Sequence, residues 1–247
     1  MFTRCLRAEF YKLKRNPVTI SHIIIPIVVS AVFLAYYAIS GWNETDKITA
    51  FYETLGSAFP VLIGIFIAST MEQEQNAGAF QNLLTLRSKT AALFSKALAL
   101  LLLGLFALLF TAVLFGFGFN MIHGQSSAST GVFIMAALVM WLSAIPLYLV
   151  FEIFAFVFGK AFAIGAGLIS GLIGALFLTD IGMYAWKIVP LSWTARMPET
   201  FLVYELADSG VLSEIKSQAP IYLVVATVCF VGYFVFATNY EGSKISE

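Results

Sequence analysis

Few residues in this chain could take part in catalysis. Its two histidines, His22 and His123, have no companions at the spacing of a metal site, and its two cysteines, Cys5 and Cys229, stand in different surroundings. The sequence contains no phosphate-binding loop of the form G-x-x-x-x-G-K-[ST], and it contains neither H-E-x-x-H nor G-x-S-x-G. We therefore expect a protein that is not an enzyme and that binds neither a metal ion nor a cofactor of its own.

Glu152 is the single Asp, Glu, Lys or Arg within the long apolar stretches of the chain. A carboxylate within a membrane is energetically costly, which makes it a candidate for a functional site. It lies near one end of its stretch, however, and Lys160 follows two helical turns later on roughly the same face. We interpret Glu152 as a boundary anchor or an interhelical hydrogen-bonding group in preference to a transport site.

Residues 72–96 contain the most informative polar pattern. Glu72 and Glu74 directly follow an apolar stretch, and a small apolar cluster flanked by Arg87 comes next. The cluster has the i, i+3, i+4 spacing of one helical face and consists of Phe80, Leu83 and Leu84. This spacing predicts a short amphipathic helix that docks its apolar face into the groove of a partner protein. The alternative is a helical extension that packs on the chain's own bundle.

Small residues recur at every fourth position in another stretch. They are Ala163, Gly167, Gly171 and Ala175. This small-xxx-small pattern lets a second helix approach closely. The pattern predicts a packed helix interface, and it leaves open whether the partner helix belongs to this chain or to another.

The composition indicates that these features lie in a membrane protein. Of the 247 residues, 60% are apolar and 11% are charged, whereas soluble domains average roughly 45–50% and 25%. Six continuous apolar stretches occur, and most are long enough to cross about 30 Å of hydrocarbon as helices. They cover residues 18–40, 55–71, 97–119, 131–158, 161–179 and 220–238. The fold expected is an all-α integral membrane protein with six transmembrane helices.

Two segments outside the spans have patterns of their own. Residues 1–17 combine basic residues with an apolar face, which predicts an amphipathic interfacial helix ahead of a six-span domain of residues 18–247. That apolar face consists of Phe2, Leu6, Phe10 and Leu13. Residues 180–219 form a long external loop between spans five and six, and both re-entrant helices and a simple outer cap fit its composition. Within the overlong fourth span, Pro146 predicts a kink or a break.

The distribution of Lys and Arg predicts the orientation. With six spans both termini lie on one side of the membrane, and that side holds ten of the fourteen basic residues. Because cytoplasmic loops carry the excess of basic residues, we expect both termini in the cytoplasm. The formal net charge of zero thus hides a basic cytoplasmic side and an acidic external side.

The pattern of residues 72–96 resembles the permeases of the ABC type-2 exporter family. In that family an acidic E-x-E step follows the second span, and a Gly, a Leu-Leu pair and a Lys that opens the third span come after it. The corresponding residues here are Glu72, Glu74, Gly78, Leu83, Leu84 and Lys96. The proline that often follows the Leu-Leu pair is absent, and Leu86, Arg87 and Ser88 stand there instead. The resemblance implies that this segment, Phe80 and Arg87 included, is the cytoplasmic coupling helix that contacts an ATP-binding subunit.

The resemblance extends over nearly the whole chain. Residues 1–17 resemble the family's elbow helix, and residues 180–219 occupy the place of its external re-entrant helices. Within the family, the opening RAEFYKLKRNP of residues 7–17, the stretch of residues 22–26 and the length of 247 residues are similar to lantibiotic-immunity permeases. Those subunits pair with a second permease and an ATPase to expel antimicrobial peptides.

The function implied is the permease subunit of an ATP-driven exporter of antimicrobial peptides in a bacterial cytoplasmic membrane. The implied protein partners are an ATP-binding subunit, which acts as a dimer and holds ATP and Mg, and a second permease chain, which is identical or homologous. The other implied partners are the lipid bilayer and the peptide cargo. No nucleic acid is expected to bind. The alternative is a secondary transporter or channel that works without an ATPase and places ionisable groups or broken helices near the midplane. A membrane-embedded enzyme is disfavoured by the missing catalytic residues, and a non-transporting anchor or sensor subunit remains open.

Overall fold

The computed structural model describes residues 1–14, 16–78, 80–124, 128–182, 184–206 and 211–242, without the side chains of 82, 84 and 211–215. Over these residues the chain is helical apart from short connections. The helices are α1 (Phe2–Leu13), α2 (Pro17–Ile39), α3 (Glu44–Asn76), α4 (Gln81–Leu84), α5 (Lys89–His123), α6 (Thr130–Phe158), α7 (Lys160–Phe177), α8 (Trp193–Leu206) and α9 (Val211–Asn239). Three single turns of 3-10 helix join α7 to α8, at Asp180–Gly182, Trp186–Ile188 and Pro190–Ser192.

Among the described residues, six helices are long and apolar enough to cross a membrane, which confirms the predicted number. They are α2, α3, α5, α6, α7 and the part Lys216–Asn239 of α9. Each predicted span coincides with one of them, but α3 and α5 extend well beyond their apolar stretches. Polar residues extend the N-terminal ends of these two helices back to their N-caps, Asn43 and Ser88. The side chains of these caps accept hydrogen bonds from backbone N–H groups of the first turn.

The beginning of α1 and the end of α9 lie at the same end of the helix bundle. At this end the Lys89 ammonium donates to the Tyr240 carbonyl oxygen at 3.0 Å, and the Ser95 hydroxyl lies 3.4 Å from the Phe2 carbonyl oxygen. We call this end the N-terminal end of the bundle and the opposite end the distal end. The beginnings of α1 and α5 and the end of α9 are thereby brought together.

Helices α3 and α7 approach each other backbone to backbone. A Cβ atom on Gly167 would lie 2.6 Å from the Pro60 carbonyl oxygen, and one on Gly171 would lie 2.6 Å from the Ser57 carbonyl oxygen. On the other side of the contact, a Cβ on Gly64 would lie 2.5 Å from the Ala163 carbonyl oxygen. The small residues of α7 therefore face a helix of the same chain.

Ala175 departs from the predicted pattern. It is exposed, and Gly174 is buried in its place, where a Cβ atom would lie 3.5 Å from Ala195 Cβ and 3.8 Å from Ser57 Cα. A four-residue step rotates a helix by about 40° more than a full turn, so successive members of the pattern drift off one face. A step of three residues from Gly171 to Gly174 keeps the contact with α3, whereas a step of four residues to Ala175 loses it.

Helix α6 runs without a break through Pro146, contrary to one of the two predicted alternatives. Proline has no backbone N–H, so the Leu142 carbonyl four residues earlier loses its usual helical partner. The hydroxyl of Tyr222 on α9 donates to this carbonyl oxygen at 2.8 Å. A hydrogen bond from a neighbouring helix thus replaces the one that proline removes.

The segment between α7 and α8 turns back along the bundle. The Ser170 hydroxyl of α7 donates to the Leu191 carbonyl oxygen at 2.9 Å, and Ser170 lies about 10 Å below the end of α7 by helical rise. Helix α8 then packs against α3, where a Cβ on Gly56 would lie 2.2 Å from the Thr194 carbonyl oxygen. The described part of this segment therefore packs against the sides of α3 and α7.

We expect Gly167→Leu to destabilise the bundle, because a leucine side chain would meet the backbone of α3, which cannot rotate away. Overpacking of this kind costs about 1–3 kcal/mol, and more where backbone must move. The check is the thermal stability of the purified protein, followed as the fraction that stays monodisperse after heating. Gly165→Leu is the matched control, because nothing lies within 4 Å of its Cβ position. Equal melting of the two variants would contradict the α3–α7 contact.

Candidate functional site

Four charged side chains meet at the N-terminal end of the bundle. The Lys96 ammonium of α5 lies between two carboxylates, 2.9 Å from Glu74 Oε1 and 3.0 Å from Glu9 Oε2. The Lys12 ammonium of α1 contacts the same two groups, 2.6 Å from Glu74 Oε1 and 2.7 Å from Glu9 Oε1. We call Glu9, Lys12, Glu74 and Lys96 the buried ion cluster. It joins α1 to the end of α3 and the first turns of α5.

Three members of the buried ion cluster are shielded from water. The side chains of Glu74 and Lys96 are 4% and 5% exposed, and that of Glu9 is 8% exposed, whereas Lys12 remains 40% exposed. A buried charge is tolerated only when it is paired and hydrogen-bonded. Each carboxylate here has two ammonium partners, and each ammonium has two carboxylate partners. The removal of any one member would leave an opposite charge buried with too few partners.

A second set of contacts holds the corner between α1 and α2 against the end of α3. The Asn16 side chain caps α2 by accepting from Val18 N at 2.9 Å, and its Nδ2 donates to Gln73 Oε1 at 3.1 Å. Gln73 in turn directs its Nε2 to the Lys12 carbonyl oxygen at 3.4 Å. The amphipathic first helix is therefore fixed to α3 immediately before residues 77–88 begin.

The packed face of α1 differs from the predicted apolar face. Leu13 is buried and Leu6 packs against the core, but Phe2 and Phe10 are 39% and 38% exposed. Glu9 points inward instead, because it pairs with Lys96. Phe2 and Phe10 therefore remain at the surface of the bundle.

Phe80 and Leu83 do not form the exposed apolar face predicted for residues 72–96. They are 3% and 4% exposed, and the Phe80 ring lies 5.7 Å from that of Phe156 on α6. Helix α4 has only four residues, and positive φ angles at Gly78 (126°) and Phe80 (66°) turn the chain sharply just before it. The turn directs the two side chains into the bundle. The side chain of Leu84 lies outside the described residues.

A different set of side chains remains open to a partner protein at this place. We call it the exposed coupling surface, and it consists of Gly78, Gln81, Thr85, Leu86 and Arg87. One member is aliphatic and three are polar or charged. Polar and charged groups therefore make up most of this surface, and the buried side chains of Phe80 and Leu83 hold it in position.

Glu72 is separate from the buried ion cluster although it stands only two residues from Glu74. Its carboxylate pairs with the ammonium of Lys160, the first residue of α7, and the two side chains are 50% and 51% exposed. This ion pair links the ends of α3 and α7 on the surface. Exposed pairs of this kind contribute about 0–1 kcal/mol, so its structural weight is small.

Glu152 faces the interior of the bundle. It is 1% exposed, and neither carboxylate oxygen has a hydrogen bond of standard geometry among the described residues. The Lys96 ammonium and the Tyr233 hydroxyl are its electrostatic neighbours, while Tyr233 directs its hydrogen to the Leu93 carbonyl oxygen at 2.9 Å. Lys160, the predicted companion, pairs with Glu72 instead. Glu152 thus adds a third acidic group on the inner side of Lys96.

The two histidines are held by local contacts. His22 is buried, its Nδ1 lies 2.6 Å from the Val18 carbonyl oxygen, and its ring packs on Phe66 at 4.2 Å. At the distal end, His123 Nε2 lies 2.9 Å from the ammonium of Lys47. In the part of the chain that is described, no three His, Cys, Asp or Glu side chains are grouped so that they could hold a metal ion.

Sequence reasoning missed Glu9 and Lys12 as parts of this site. Glu9 is the one acidic residue among residues 1–17, and Lys12 follows at the three-residue spacing of a helical ion pair. An acidic residue in an otherwise basic segment was the sign in the sequence that Glu9 has a specific partner. Its pairing with Glu74 and Lys96 is a long-range contact that no local spacing indicates.

We expect Lys96→Met to lower the free energy of unfolding by about 3–5 kcal/mol, because Glu9 and Glu74 would stay buried with Lys12 as their shared partner. The measurement is an SDS titration of the purified protein in mixed micelles. Lys160→Met, which breaks the exposed pair with Glu72, is the control and should shift the curve by about 0–1 kcal/mol. Adding Glu74→Gln to Lys96→Met should recover part of the loss. Similar shifts for the two single variants would argue against the cluster.

Comparison with known protein families places this geometry in context. Residues 5–202, most of the chain, match the family described as ABC-2 family transporter protein, and a comparison with curated proteins found no match. The matched part contains the whole buried ion cluster and the exposed coupling surface, and it ends within α8. Proteins of this family are the membrane-spanning permease components of ABC transporters. With this match, and with six helices among the described residues that can span a membrane, the chain belongs to the ABC-2 transporter family.

Proposed function

We propose that this chain is the permease subunit of an exporter that expels lantibiotics or other antimicrobial peptides from a bacterial cytoplasmic membrane. The observation that carries the proposal is the attachment of residues 72–96 to the bundle through Glu74 and Lys96. Both ends of the segment are fixed to spans, and its exposed residues lie between them. Such a segment can receive a push from a partner protein and pass it to the helices.

The proposal places the N-terminal end of the bundle in the cytoplasm. The excess of basic residues on that side supports this orientation. On α1 the exposed basic residues Arg4, Arg7 and Lys14 would lie against anionic lipid headgroups. The exposed coupling surface is then available to a cytoplasmic ATPase.

Force would pass from ATP hydrolysis to the spans through the buried ion cluster. ATP and Mg bind to the partner, an ATP-binding subunit that works as a dimer, and its closure presses on the exposed coupling surface. Glu74 lies in the last turn of α3 and Lys96 in the first turns of α5, so a push between them moves both helices together with α1. This movement opens a path between the chain and a second permease chain, identical or homologous.

The proposed cargo is an amphipathic peptide that enters from the outer half of the membrane. Aromatic and aliphatic side chains fill the described interior of the bundle, for example the rings of Phe51 and Phe115, stacked at 3.6 Å. A hydrophilic solute needs polar groups along its route, whereas a peptide already in the lipid does not. The apolar interior therefore favours cargo that arrives laterally.

We expect the double variant Gln81→Glu/Arg87→Glu to lose its binding to the ATPase that a neighbouring gene encodes. Two added negative charges and one lost positive charge on the exposed coupling surface should weaken the contact on the order of tenfold or more. The measurement is a pull-down of the membrane-inserted chain with the products of neighbouring genes.

Lys216→Glu is the control for this experiment, because it makes the charge reversal of Arg87→Glu at an exposed residue on the proposed external side. It should retain the ATPase in full. If the double variant inserts normally and holds the ATPase as well as the wild type does, the assignment of the coupling surface is wrong.

We expect deletion of the chain to increase the sensitivity of its host to at least one lantibiotic. Growth inhibition across a panel of antimicrobial peptides measures this, with a plasmid-borne wild-type copy as the positive control. The Gln81→Glu/Arg87→Glu copy should fail to restore protection, because export depends on the ATPase. Unchanged sensitivity to every lantibiotic of the panel would refute the proposed cargo.

A further inference from the structure

A cavity of about 280 Å³ lies between α6, α8 and α9 in the distal half of the bundle. Its volume is just below the range of about 300–1,000 Å³ that is usual for small-molecule sites. Aromatic and aliphatic groups form most of its wall, among them Leu142, Trp186, Met197, Phe201 and Tyr222. The cavity adjoins neither the buried ion cluster nor the exposed coupling surface, so neither role accounts for it.

Two hydroxyl groups on the cavity wall already use their hydrogens. The Ser143 hydroxyl donates to the Met140 carbonyl oxygen at 2.7 Å, and the Tyr222 hydroxyl donates to the Leu142 carbonyl oxygen at 2.8 Å. The second of these bonds replaces the one that Pro146 removes, so it belongs to the fold. Both oxygens keep lone pairs that can accept a hydrogen bond from a ligand.

Gln218 is the polar group that points to a ligand. It lines the cavity and is only 7% exposed, and its Nε2 donates to the Lys187 carbonyl oxygen at 3.3 Å. Because a carbonyl oxygen can only accept, this bond identifies the nitrogen and places Oε1 on the other side of the amide. Among the described residues, Oε1 has no hydrogen-bond partner. A buried amide oxygen without a partner is costly, and a donor brought by a ligand would satisfy it.

We propose that this cavity is a cargo site that takes an apolar side chain of an amphipathic peptide, with a peptide N–H donating to Gln218 Oε1. This proposal rests on the proposed function of peptide export. The aromatic wall suits a bulky aliphatic or aromatic side chain, and the acceptor groups suit the backbone N–H beside it. Beside its acyl chains a phospholipid carries only ester and phosphate oxygens, which are acceptors, so an acyl chain in this apolar cavity would bring no donor next to Gln218 Oε1.

The test uses the full chain with its ATPase in lipid nanodiscs and a synthetic amphipathic Leu/Lys peptide that carries one photoreactive benzophenone side chain. After illumination, mass spectrometry locates the cross-links. We expect attachment to cavity residues such as Met197 and Leu142. Excess unlabelled peptide should compete for these cross-links, whereas added phospholipid should not.

Two variants examine the cavity and its acceptor separately. Ala219→Phe projects a ring into the cavity and should abolish the cross-links there, whereas Val224→Phe, at a position 64% exposed on the same helix, should leave them unchanged. Gln218→Leu keeps the size and removes the Oε1 acceptor together with the Nε2 donor to the Lys187 carbonyl, and it should reduce the cross-links about five- to tenfold, the value of one hydrogen bond.

Three results would overturn the proposal: cross-links confined to lipid-facing residues, cavity cross-links that persist in Ala219→Phe, or competition by phospholipid. The sensitivity assay keeps this proposal separate from the proposed function. If Ala219→Phe protects cells as well as the wild type does, the cavity is not the cargo site while peptide export stands. If deletion changes no sensitivity, export itself fails, whatever the cross-links show.

Discussion

The arrangement of the whole N-terminal end depends on the burial of the Lys96 ammonium between Glu9 and Glu74. A charged group held away from water requires close partners in fixed positions. Glu9 can reach Lys96 only if α1 lies across the first turns of α5, and Glu74 can reach it only if α3 ends at the same level. One buried cation therefore determines where three helices meet. It also determines where residues 77–88 leave the bundle and where they return.

Away from the buried ion cluster, close backbone packing between α3 and α7 and one substituted hydrogen bond hold the helices together. The glycines of α7 allow α3 to approach until only hydrogen atoms fit between the backbones. Pro146 frees a carbonyl of α6, and Tyr222 of α9 satisfies it. Tyr222 also forms part of the cavity wall, so the side chain that satisfies the free carbonyl of α6 also shapes the proposed cargo site. The contacts that hold the helices together thus differ along the molecule, with buried ion pairs at the N-terminal end and backbone packing and apolar side chains away from it.

The spans could be predicted from sequence because hydrocarbon thickness requires long apolar runs, and nothing else in the chain resembles them. Their true ends could not, because α3 and α5 continue through polar residues to the caps at Asn43 and Ser88. The spacing of Phe80 and Leu83 indicates a shared helical face, but it does not say whether a partner or the chain's own bundle covers that face. The left-handed backbone at Phe80 turns the two side chains into the chain's own bundle. This conformation could not be predicted from residue preferences, because phenylalanine seldom adopts it. The buried ion cluster could not be predicted from sequence, because its pairs join residues up to 87 positions apart.

The central claim is that the buried ion cluster carries force from the coupling segment to the spans. Glu74→Gln tests it most directly, because glutamine keeps the size of the side chain and leaves Lys96 paired with Glu9. The measurement is the number of peptide molecules exported per ATP hydrolysed by the transporter in vesicles. We predict that the ATPase stays bound and hydrolyses ATP while export per ATP falls severalfold. Export per ATP equal to that of the wild type, in a variant with normal insertion, would contradict the account.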